Sequence, residues 1–160
     1  MIDEFVSFLE QNGWKIVKNE NRGDASSNEI LMKYSGLPSE FYELIEKYSC
    51  ISSADDTTWF LCLNDYDSEL DIAFKWNEFE KMSLEAAEGD AKWQKEIEEW
   101  WQDKLPVLMS VGNGYSYYAI DTGNGGKIIN GYEPEFEETD VVAENFSDFL
   151  AMVINRQIGL

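Results

Sequence analysis

Carboxylates are almost the only side chains here that could do chemistry. Asp and Glu number 32 against 12 Lys and Arg, a formal charge of −20 over 160 residues, and histidine is absent. Without imidazole the chain lacks the commonest general base near neutral pH and the commonest metal ligand, which excludes Ser-His-Asp and Cys-His catalysis. Cys50 and Cys62 are the only cysteines and have no Cys-x-x-Cys spacing, so neither a zinc site nor a disulfide framework is indicated.

Asp65, Asp67, Glu69 and Asp71 recur at every second position, as at the opening of a calcium loop. An EF-hand begun at Asp65 requires Gly at its sixth position and a bidentate Glu at its twelfth, where this chain has Leu70 and Trp76. The run is therefore a solvated acidic edge after a strand. Gly112-Asn113-Gly114-Tyr115-Ser116-Tyr117 has Tyr where a dinucleotide fingerprint needs its last Gly, and a strand rather than a helix follows. Gly126-Lys127-Ile128 lacks the Ser or Thr of a phosphate-binding loop, and Ser116 lacks both the second glycine of a nucleophile elbow and a histidine. Two acids could in principle hydrolyse a glycosidic bond, but among 32 acids a pair carries no information. The expectation is a protein that is not an enzyme, with no cofactor and no metal.

The elements that must position these residues fit one domain over residues 1–160. A hydrophobic share of 44%, with 14% aromatic, supplies a core despite the charge. Ile2, Phe5, Val6 and Leu9 predict a helix stopped by Gly13, then a strand at Trp14–Lys18 and an exposed loop over Asn19–Asn28. Leu37-Pro38-Ser39-Glu40 opens a second helix with Phe41, Leu44, Ile45 and Tyr48 inward. Thr57–Leu63 reads as a central buried strand, and Trp76–Lys104 as a helical region broken near Gly89-Asp90 whose tryptophans pack into the core. Leu105-Pro106-Val107-Leu108 leads into a strand. Tyr115–Ile120 and Lys127–Tyr132 form a hairpin about Gly123-Asn124-Gly125-Gly126, and a last helix from Asn145 buries Phe146, Phe149, Leu150 and Val153.

The order of motifs resembles the SUKH superfamily, which includes the yeast cell-wall-assembly regulators and many bacterial immunity proteins. Leu37-Pro38 with Phe41-Tyr42, Leu44-Ile45 and Tyr48 is similar to its Leu-Pro helix. Leu105-Pro106-Val107, Gly112-x-Gly114 and Tyr118-x-Ile120-Asp121 are similar to its central elements. Gly126-Lys127-Ile128 with Tyr132, and Phe146-x-x-Phe149-Leu150, resemble its hairpin return and closing helix. The resemblance spans residues 36–153. It implies an α+β fold, a mainly antiparallel sheet packed against helices, and for bacterial members an immunity role in which the protein binds a toxin.

A charge of −20 disfavours nucleic acid as a direct partner and suits a basic protein toxin domain, whose cleft it can occupy in place of phosphate. The residues expected to make that contact are Asp55 and Asp56 before the central strand; Asp65, Tyr66, Asp67, Glu69 and Asp71 after it; and Tyr132, Glu133, Glu135, Phe136, Glu137 and Glu138 after the hairpin. Tyr66, Tyr132 and Phe136 are the expected aromatic anchors. The alternatives are a regulatory or scaffold module acting on an endogenous partner, and a carbohydrate-binding or hydrolysing domain with Trp59, Trp76 and Trp93 as stacking surfaces. Acids at Asp3 and Glu4, where a signal peptide is positive, and the lack of an apolar run of about 18 residues point to a cytoplasmic protein with no membrane contact; a monomer or weak dimer is expected.

Overall fold

The apolar spacing near the start builds α1 (Ile2–Gln11), with Ile2, Phe5, Val6 and Leu9 buried as predicted. The computed structural model describes residues 1–69 and 74–160. β1 (Lys15–Lys18) follows, and the segment after it is less open than expected: a 3-10 turn at Ala25–Ser27 is capped by Asp24. α2 (Ser39–Lys47) begins behind Pro38 and buries Phe41, Leu44 and Ile45. Tyr48, expected on that helix, instead opens β2 (Tyr48–Ser52), because the chain passes from helix to extended backbone with no loop between them.

β3 is shorter than the sequence predicts, Thr58–Phe60, and it lies third in a seven-stranded antiparallel sheet ordered β1 to β7 along the chain. α3 (Glu78–Ala86) and α4 (Ala91–Trp101) flank the predicted break, where the Asp90 carboxylate accepts from the Trp93 N–H. β4 (Lys104–Ser110), β5 (Ser116–Asp121), β6 (Lys127–Tyr132) and β7 (Asp140–Ala143) complete the sheet. Gly125 and Gly126 both take positive φ in the predicted hairpin between β5 and β6. α5 (Phe146–Ile154) is capped by Asn145 and buries the four residues expected of it. The protein is a single α+β domain, and among the described residues no helix is long and apolar enough to cross a membrane.

Neighbouring residues on β5 show how the layers form, since successive strand side chains point to opposite faces. Tyr118 meets Phe149 of α5 at 5.1 Å between ring centroids, on the face where Phe60 of β3 meets Phe5 of α1 at 5.3 Å. Tyr117 points the other way, 5.7 Å from Phe79 of α3 and 5.2 Å from Trp101 of α4. Helices therefore cover both faces. The inward stripe of α4 is Ile97 and Trp101; Trp100 is half-buried beneath the Lys104 ammonium, and Trp93 is 46% exposed, so core packing accounts for Trp101 but not for Trp93.

Pro106 sits within β4, where it cannot donate to the ladder, and the register with β5 shifts between Pro106 and Leu108. On β6, Gly131 lies beneath Tyr117: a Cβ there would come within 2.6 Å of the phenol ring. Gly131→Ala is expected to lower stability by about 2 kcal/mol through overpacking. Urea denaturation checks this, and a loss near zero would mean that the ring moves aside freely.

Candidate partner-binding surface

The acids of the turn before β3 are engaged within the fold. Asp55 Oδ1 accepts from Ser53 Oγ (2.7 Å), Thr57 Oγ1 (2.8 Å) and the Thr57 N–H (3.2 Å), and these bonds, the Ser53 hydroxyl foremost, hold its carboxyl below the usual range. Asp56 pairs with Lys15 at 2.5 Å and accepts from Ser52 Oγ at 3.1 Å, which likewise lowers its pKa. Both remain exposed, but Asp55 is engaged within its own turn and Asp56 ties that turn to Lys15 of β1.

The next acidic segment departs further from expectation. Asp65 accepts from the Cys62 N–H at 2.7 Å and is half-buried, and burial raises its pKa. Tyr66 is no surface anchor: it is 2% exposed, and its hydroxyl donates to the Pro106 carbonyl at 2.7 Å, pinning this segment to the irregular part of β4. Asp67 and Glu69 are exposed, with Asp67 accepting from the Glu69 N–H at 2.8 Å. Asp71 lies outside the described residues.

The segment after the hairpin forms a surface. Tyr132 is 56% exposed, and Glu133, Glu135 and Glu138 are exposed beside it. Phe136 is likewise no surface anchor. It is 4% exposed and stacks on Phe79 with centroids 4.7 Å apart and planes inclined by 19°, while its carbonyl accepts from Tyr117 Oη at 2.5 Å. An apolar ring flanked by acids is drawn inward, and the acids are left outside. Glu137 is half-buried and accepts from Trp101 Nε1 at 2.8 Å, which ties the segment to α4.

Two acids that sequence reasoning missed join this face. Glu80 of α3 is half-buried, and its pKa is raised by burial and then by the nearby Glu98 of α4 and Glu137. One signal was readable: on α4 the i,i+4 pairs Lys92–Glu96 and Lys95–Glu99 form, whereas Glu98 has glutamines at both i,i+4 positions. Among the described residues none of Glu80, Glu98, Glu133, Glu135, Glu137 or Glu138 takes part in an ion pair. Nor is any group of three or more His, Cys, Asp or Glu placed there to hold a metal ion.

Glu80 gives a pH prediction. Its folded pKa lies above the ordinary 4.5, so its ionised form is penalised in the folded state at neutral pH, and the penalty is relieved as pH falls through the folded pKa. Stability should rise as pH falls from neutral towards Glu80's ordinary 4.5, then fall as Asp55 and Asp56, held low, lose their charge. Glu80→Gln should flatten the first limb relative to the parent in thermal melts. Equal slopes in the two proteins would assign the effect to Asp65 and to net charge.

A single α+β domain with an uncompensated acidic face built from α3, α4 and residues 132–138 is what the fold and this surface define. No protein-family model, curated protein or solved structure matches the chain.

Proposed function

We propose that the protein is a non-enzymatic, SUKH-like immunity protein that binds and neutralises a basic, nuclease-type toxin through this face. The supporting observation is the concentration of unpaired carboxylates: Glu80 lies near Glu98 and Glu137, Glu137 is held by Trp101, and Glu133, Glu135 and Glu138 of the same segment are exposed. Like charges held together destabilise the free protein, and a cationic partner relieves that repulsion as it binds. A cleft that binds nucleic acid presents such cations.

Co-expression with the toxin domain encoded beside its gene is the direct test. Restored growth together with a stoichiometric complex on gel filtration supports the reading; growth arrest with no complex formed defeats it for that toxin. Association should also slow steeply with salt, since screening at physiological ionic strength limits exposed charges to a reach of about 8 Å. Stopped-flow rates that do not change with salt would remove electrostatic steering from the mechanism.

A further inference from the structure

On the face covered by α1 and α5, three neighbouring strands change from apolar to hydroxyl side chains in one step. Phe60, Leu108 and Tyr118 are register partners across β3, β4 and β5, and two residues further out along the strands so are Thr58, Ser110 and Ser116. The hydroxyl row lines a cavity of about 590 Å³ that Trp14, Tyr118 and Asn113 also border. Thr58 Oγ1 and Ser110 Oγ share one hydrogen bond at 2.8 Å, which leaves one of their two protons free. Ser116, half-buried, is paired with Ser110 across β4 and β5 and extends the row.

The cavity's charge limits what it can take. No Lys or Arg lines it, and its one acidic side chain, Asp55, has Oδ1 engaged by three hydrogen bonds within its turn. A phosphate or carboxylate would enter with no counter-charge, into a protein of charge −20. A lining of hydroxyls, an amide and two aromatic rings suits a neutral ligand with several hydroxyls and one apolar face. We propose that this cavity is a saccharide-binding site, in which the hydroxyl row and Asn113 meet ring hydroxyls while Trp14 and Tyr118 present apolar surface to the C–H face of a pyranose. The site lies on the opposite face of the sheet from Phe79 and Trp101, and it does not depend on the toxin-binding reading.

Amide shift mapping of the full chain tests this, with methyl β-D-glucopyranoside, methyl β-D-galactopyranoside and N-acetylglucosamine as separate probes. At least one probe should give saturable shifts at Thr58, Ser110, Asn113 and Ser116, with a dissociation constant on the order of 1 mM, as suits a small neutral ligand. Glycerol should give none. The double variant Ser110→Ala/Ser116→Ala should weaken binding at least tenfold; Asn113→Ala, at the rim, is the second variant should the first fold poorly. Three outcomes overturn the proposal: no probe shifts those amides, a folded variant binds as tightly as the parent, or glucose 6-phosphate binds more tightly than the methyl glucoside.

Discussion

Phe136→Ala should lower the unfolding free energy by about 3 kcal/mol, the low end of the range for truncating a buried Phe. The ring is 4% exposed and stacks on Phe79, beside the Tyr117 and Trp101 rings that seal β5 beneath α3 and α4. Its loss opens a cavity among rigid aromatics that cannot collapse into it. The backbone carbonyl of residue 136 survives the substitution and can still accept from Tyr117 Oη, so the loss reports the ring alone. Tyr117→Phe reports that hydrogen bond separately, at about 1 kcal/mol. Tyr132→Ala is the internal control: at 56% exposure it should shift stability by under about 0.5 kcal/mol. Urea denaturation at unchanged slope checks all three. A loss below about 1 kcal/mol for Phe136→Ala would mean that the acidic segment is not anchored by its aromatic residue.

The contrast between Phe136 and Tyr132 marks where sequence reading succeeds and fails here. Periodicity carries enough information where a whole face repeats: α1 and α5 bury the sets predicted from spacing, α2 buries three of its predicted four, and the glycine-rich hairpin falls where φ > 0 is needed. It carries too little where one residue decides. β2 was hidden because Tyr48 completes a helical stripe and begins a strand at once. Tyr66 and Phe136 look like surface anchors because acids surround them, yet one aromatic side chain buries enough area to turn a polar segment inward. The acidic character of the candidate face was legible from composition. Its position was not, because Glu80, Glu98 and Glu137 are distant in the chain and meet only once α3, α4 and the segment after β6 pack around Trp101.

Reversing Glu135 and Glu138 to Lys should slow association with a basic toxin domain by about tenfold or more at low salt, the scale on which electrostatic steering changes encounter rates. These two are the informative positions. Both are exposed, whereas Glu137 accepts from Trp101 Nε1 and its reversal would disturb α4 as well as the surface. The reversal raises the net charge by 2 × 2, from −20 to −16, so a control of equal charge is required. Glu10→Lys/Glu20→Lys provides it: both positions are exposed and flank β1, at the opposite edge of the sheet from the strands that bracket residues 133–138. If the face near Trp101 makes the contact, the first pair slows association and the second leaves it close to the parent rate. Added salt should then erase the difference between them, because screening removes steering from wherever it acts. Equal slowing by both pairs would mean that overall charge attracts the partner and no particular face does. Slowing by the control pair alone would move the contact to the β1 edge of the sheet.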